Sequence, residues 1–147
     1  MPIPLSTLSP ALIEAYLHTR YVVSMDGSDV ELRIGQPLPG ILSQLAQTVG
    51  TENAGLAVIT ACNPYSTPTP EDQNQARQAV LATLLGWHDA WDVFAAEGIS
   101  EDGGWSEPSF LVVGIERVMA ESIGRCFQQN AVVFALPGGL PELRCCI

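Results

Sequence analysis

The chain has no lysine. Its six basic residues, all arginine, face 16 aspartates and glutamates, which leaves a net charge of −10 and an isoelectric point near 4.3. Nucleic-acid binding rests on clustered Lys and Arg, so this composition argues against it. The same charge disfavours anionic membrane surfaces. No apolar run approaches the ~20 residues that a membrane-spanning helix requires. No basic stretch followed by an apolar segment opens the sequence, so no secretory signal is expected. There is no G-x-x-x-x-G-K phosphate loop, and no lysine to complete one. The four cysteines, Cys62, Cys126, Cys145 and Cys146, form no C-x-x-C pair, and no histidine lies at ligand spacing from them. They read as reduced thiols of a cytoplasmic protein. Neither a metal site nor a cofactor motif is expected.

What is present is apolar and periodic. Hydrophobic residues make up 47% of 147 residues, with a mean hydropathy of +0.21. A chain of this length forms one domain, 1–147, and buries a core without a metal or disulfide.

Ser9-Pro10 reads as a helix start, with Leu12, Ala15, Tyr16 and Thr19 at helical spacing over about 10–19. Segments 21–23 and 30–34 read as a β-hairpin around Asp26-Gly27. Ile41, Leu42, Leu45 and Val49 form a helical stripe that Gly50 should end. Residues 55–61 are a continuous apolar strand, expected to be buried on both faces. Thr69-Pro70-Glu71-Asp72 should cap a helix to about Gly86, with Val80, Leu81, Leu84 and Leu85 inward. Strands follow at 91–96 and 109–114. A helix at 116–128 should present Met119, Ile123 and Phe127, with Ala120 and Gly124 allowing close packing. A strand at 131–135 and a short segment at 142–146 complete the chain.

From about 55 to 135 this is a β-α-β-β-α-β order, the pattern of a ferredoxin-like core. The expected fold is therefore α/β (α+β), with an N-terminal helix, hairpin and second helix extending or covering the sheet. The order also directs the loops. Taking strand 55–61 as pointing up, residues 62–69, 97–108 and 128–130 all fall at the upper edge. Most of the unusual polar residues lie there.

The fullest of these loops is Glu101-Asp-Gly-Gly-Trp-Ser-Glu-Pro-Ser109, which offers Trp105 as a stacking face and Glu107 as a carboxylate. Asn63, Asn74, Arg77, Ser109, Gln129 and Asn130 complete a candidate ligand site of donors and acceptors with one fixed positive charge. Such a site suits a small planar or anionic ligand. Glu107 beside Trp105 is the candidate general base of a small hydrolase or transferase, with Arg77 and Asn63 orienting the substrate. A third reading makes Trp105 the anchor of a protein-docking surface.

Each residue also has a plain structural role to weigh. Asn63-Pro64 starts turns, Asn130 can end a helix in the left-handed conformation, and Trp105 can lie over the core. Asp102-Gly103 is an ordinary turn, and Glu107 can pair with Arg77 or Arg125. Cys62 reads as a buried, inert thiol. His18 and His88 are expected to lie away from the edge.

Several runs together resemble a known family. They are Ala57-Val-Ile-Thr-Ala-Cys-Asn-Pro64, then Asn74 with Ala76-Arg77, then Gly104-Trp-Ser-Glu-Pro-Ser-Phe-Leu-Val-Val-Gly114, then Gly124-Arg-Cys-Phe-Gln-Gln-Asn-Ala-Val-Val133. The N-terminal Ala15-Tyr16, Thr19, Tyr21 and Leu32-Arg-Ile-Gly35 fit as well. This combination is similar to a bacterial family of small uncharacterised proteins, a domain of unknown function. The family's usual Gly-Gln-Asn stands here as Gln128-Gln129-Asn130. Cys62 occupies a position where the family more often has an aromatic or other residue. The resemblance implies a bacterial, cytosolic protein and no particular activity.

Overall fold

A computed structural model describes residues 3–50 and 52–147. The chain folds in the order α1 (Pro10–Leu17), β1 (Thr19–Met25), β2 (Ser28–Leu32), α2 (Gly40–Gln47), β3 (Ala54–Ile59), α3 (Glu71–Gly86), β4 (Asp92–Ser100), β5 (Ser106–Glu116), α4 (Arg117–Cys126), β6 (Ala131–Ala135) and β7 (Glu142–Cys145). All seven strands join one sheet in the order β2-β1-β4-β5-β3-β6-β7. Every neighbouring pair is antiparallel.

The local signals act where the physics places them. Ser9 caps α1, its hydroxyl accepting from the Leu12 amide at 3.2 Å. Asp26 and Gly27 turn the first hairpin with φ of 47° and 80°, the positive pair that a two-residue turn needs. All six residues of β3 are buried, as its unbroken apolar run requires.

Helices cover both faces of the sheet. On one face, Leu42 and Ala46 of α2 pack on Val23, Leu56, Val58, Leu111 and Val113. Further along that face, Leu12, Ile13 and Tyr16 of α1 pack on Ala131, Leu143 and Cys145. On the other face, Leu81 and Leu85 of α3 with Ala120 and Ile123 of α4 cover Ala57, Ile59, Val112 and Phe134. There α4 lies close to the sheet because Gly124 has no side chain. A Cβ at that position would stand 2.7 Å from Cys146 Sγ and 2.8 Å from Val132 Cγ1.

Several local expectations are corrected. Gly50 does not end α2; the helix stops at Gln47, and the Thr48 hydroxyl donates to the Leu45 carbonyl. Thr69 does not cap α3, because its hydroxyl turns back to the Thr67 carbonyl and Pro70 takes the cap position. Val80 is 60% exposed and Met119 46% exposed. The i, i+4 pair Leu81 and Leu85 supplies the inward stripe of α3, and Ala120, Ile123 and Gly124 that of α4. The left-handed residue after α4 is Gln128, with φ of 59°, not Asn130. The central hairpin is longer than its apolar residues suggested: β4 runs to Ser100 and β5 begins at Ser106. Cross-strand pairing carries polar residues into both strands.

Candidate functional site

One end of the sheet opens into a cleft of about 1340 Å³. The antiparallel order places three connections there: residues 60–70 before α3, the β4–β5 hairpin tip, and residues 127–130 before β6. Helix α1 closes it from the side.

The connection before α3 is unusual in its backbone. Asn63, Tyr65 and Ser66 all hold positive φ, at 50°, 52° and 59°. Such angles strain non-glycine residues and persist only where surrounding bonds fix them. Here side chains fix them. Asn74 Oδ1 accepts from the Asn63 amide, and Asn74 Nδ2 donates to Asn63 Oδ1, each at 2.9 Å. Asn63 Oδ1 also accepts from the Thr69 amide. Gln129 Nε2 donates to the Cys62 carbonyl at 3.0 Å, and Asn130 Nδ2 to Ser66 Oγ at 2.9 Å. Arg77 ties α3 to the loops, donating to the carbonyls of Ala61 and Phe127 and to the Gln128 side chain.

The residues singled out from the sequence therefore meet at one end of the molecule and divide into two groups. Asn74, Arg77, Gln129 and Asn130 spend their side-chain donors on the protein itself, holding the strained loop. Arg77 and Asn130 do not line the cleft, whereas Asn63, Asn74, Trp105, Glu107, Ser109 and Gln129 do. Asp102 organises its own turn, accepting from the Ser100 hydroxyl and the Gly104 amide. Glu107 pairs with neither Arg77 nor Arg125. Its Oε2 accepts from Asn63 Nδ2 at 2.8 Å. Arg125 is turned to the Cys146 carbonyl.

Glu107 is the chemically distinctive group. Burial pushes its carboxyl from 4.5 up to about 7, and the Asn63 hydrogen bond only partly opposes this. Register explains how a carboxylate comes to be there. Glu107 stands opposite Gly98 on β4, and Gly98 opposite Tyr21 on β1. With no side chain on Gly98, the Tyr21 ring lies over it, Cε1 standing 3.4 Å from where a Cβ would be. The next row is Val23, Ala96 and Ser109, again small in the middle. Ser109 is 4% exposed at the base of the cleft. Trp105 stands at the mouth, 44% exposed.

Two lining residues gain a site role only from the structure. Tyr16 of α1 and Tyr21 of β1 bring two phenols beside Glu107. Burial drives both upward, Tyr16 to about 12, so both stay protonated and can donate. Their signal in sequence was slight: two tyrosines five apart, across a helix-to-strand corner. His18, expected elsewhere, lies at the rim between Glu14 and Glu101, at 3.0 and 2.9 Å. His88 is at the far end, stacked on Trp91 with ring centroids 4.0 Å apart.

Cys62 is buried and its thiol is raised by burial, which leaves little thiolate. Among the described residues no three His, Cys, Asp or Glu side chains gather as metal ligands. No helix among them is long and apolar enough to cross a membrane.

A seven-stranded antiparallel sheet with helices on both faces, and a polar cleft at one end, defines a mixed α/β protein. Residues 59–132 match the family model described as Protein of unknown function (DUF3293), and the chain belongs to that family. The matched span contains Asn63, Asn74, Arg77, Trp105, Glu107, Ser109, Gln129 and Asn130. It leaves out α1 and β1, which supply the two phenols. No curated protein and no solved structure matches the chain.

Proposed function

We propose that this protein binds a small organic molecule in the cleft, with Glu107 as the group that meets it. One observation carries the reading: a carboxyl of raised pKa projects into a cavity, with one oxygen held by Asn63 and the other accepting no hydrogen bond among the described residues. That oxygen faces the cleft and is free to accept from a ligand donor. The strained loop supports the same reading, because four side chains hold the loop that carries Asn63. We also read the β3-to-β6 core as ferredoxin-like. The interleaved order β4-β5-β3-β6, all antiparallel, supports that assignment.

A second reading has its own support. A carboxyl near 7 exchanges protons readily at neutral pH, which suits a general base in a hydrolase or transferase. In that case Asn63 orients Glu107, and the neutral phenols of Tyr16 and Tyr21 donate to the substrate. Arg77 holds the loop without touching substrate.

Ligand-observed NMR with a fragment library tests the first reading. Bound fragments should shift the Trp105 indole signal and should be lost in Ser109→Leu, which fills the base of the cleft. Binding that survives Ser109→Leu in a folded protein places the ligand elsewhere and overturns the proposal. Turnover of any bound compound that vanishes in Glu107→Gln while binding persists selects the second reading.

A further inference from the structure

Resting on the small-molecule reading, we infer that the ligand class of the cleft is an organic cation, an ammonium carried on an apolar or planar body. The argument begins with charge. No lysine or arginine lines the cleft, and its one basic residue is the rim histidine His18. Five carboxylates line it: Glu71, Glu97, Glu101, Asp102 and Glu107. Two of these are already occupied. Glu101 is bridged by Arg33 at 2.6 Å and His18 at 2.9 Å, and Asp102 is held in its turn. Glu71, Glu97 and Glu107 make no ion pair among the described residues.

Position adds what charge alone does not supply. Glu107 is the most buried of these three, and Tyr16, Tyr21 and Trp105 line the same cleft. A carboxylate in a cleft that aromatic side chains also line favours a cation through direct attraction, and aromatic rings add to it where a cation meets their faces. An anion meets the reverse. A negative charge beside Glu107 opposes its ionisation where a cation favours it, and Arg77, the guanidinium expected to receive an anion, is turned onto the carbonyls of Ala61 and Phe127. The small planar part of the expected ligand stays; its negative charge gives way to a positive one. The floor beyond Glu107 accepts the apolar body: Val58, Ala131 and Val133 line the cleft alongside Ser109.

Three probes of one shape test the inference: benzylammonium, benzyl alcohol and benzoate. Each is titrated into the full chain while the Trp105 indole N–H is followed by NMR, with assignment from Trp105→Phe. Benzylammonium should bind at least tenfold more tightly than benzyl alcohol, and benzoate most weakly. In Glu107→Gln the advantage of the ammonium over the alcohol should fall below threefold. In Glu116→Gln, which changes an exposed carboxylate at the other end of β5 and outside the cleft, it should remain. Benzyl alcohol or benzoate binding as tightly as benzylammonium overturns the cation assignment and leaves the small-molecule site standing. If none of the three shifts Trp105 while the fragment library yields cleft binders, the cation assignment alone falls. If the library is empty too, the site reading falls with it.

Discussion

The two faces of the sheet are covered in different ways. Under α3 and α4 the face of β3, β5 and β6 is closed, and Gly124 leaves no room even for a methyl group. Under α1 and α2 the opposite face begins equally closed, with Leu42 and Ala46 fully buried over Leu111 and Val113. Two residues along the same strand it opens. Val113, Leu111, Ser109 and Glu107 share one side of β5, and they run from core to cleft within a few residues. One strand thus serves both purposes. The rigid half fixes the register that holds the polar half in place, a sound base for a site.

The largest effect that sharpens this contrast belongs to Glu107. Its carboxyl ionises near 4.5 when unfolded and near 7 when folded, so between those values the folded state binds a proton that the unfolded state lacks. Stability from this group is full below 4.5, falls as pH rises through the window, and levels off above 7. Glu107→Gln keeps an acceptor for Asn63 and removes the buried charge. The variant should be more stable than wild type by about 2–3 kcal/mol at pH 8, with the difference closing towards pH 4.5. Urea unfolding at the two pH values measures it. An equal difference at both would mean the carboxyl is not perturbed and the open face is merely solvated.

The closed face should respond to added volume, not to pH. Gly124→Ala forces a methyl against Cys146 and Val132, and should cost about 1–2 kcal/mol after the helix propensity gained by alanine is counted. Thermal unfolding shows it. A neutral or stabilising result would mean that α4 can lift from the sheet and that the two faces are packed alike.

The smallest effect lies at the joint between the faces. Gln128 sits at positive φ, where glycine is favoured, and its side chain accepts from Arg77 at 3.3 Å. Relief of backbone strain should outweigh that exposed contact. Gln128→Gly is expected to stabilise by about 0.5 kcal/mol, read from the urea midpoint. A loss instead would show that the Arg77 contact holds the loop more strongly than its exposure suggests.

Much of the frame was legible in the residues. Periodicity gave the order of elements, and the turn pair Asp26-Gly27 and the cap Ser9 acted where their chemistry predicts. Alternation of strand and helix was enough to bring residues 62–69, 97–108 and 128–130 to one end. Face assignments were less secure. Val80 and Met119 are apolar and helically spaced, yet they point outward, because the tilt of a helix on its sheet selects among overlapping stripes.

The composition of this sequence by itself determined the acidic surface and the buried central strand, since both follow from residue type and local spacing. Only the tertiary structure decided which polar groups remain open to a ligand. Asn74, Arg77, Gln129 and Asn130 were spent on a strained loop, and Tyr16 and Tyr21 were brought in from the first helix and strand. Hydrogen bonds are made between residues distant in the chain, and cross-strand register set Gly98 between Tyr21 and Glu107. Neither partner choice nor register is written in any single segment.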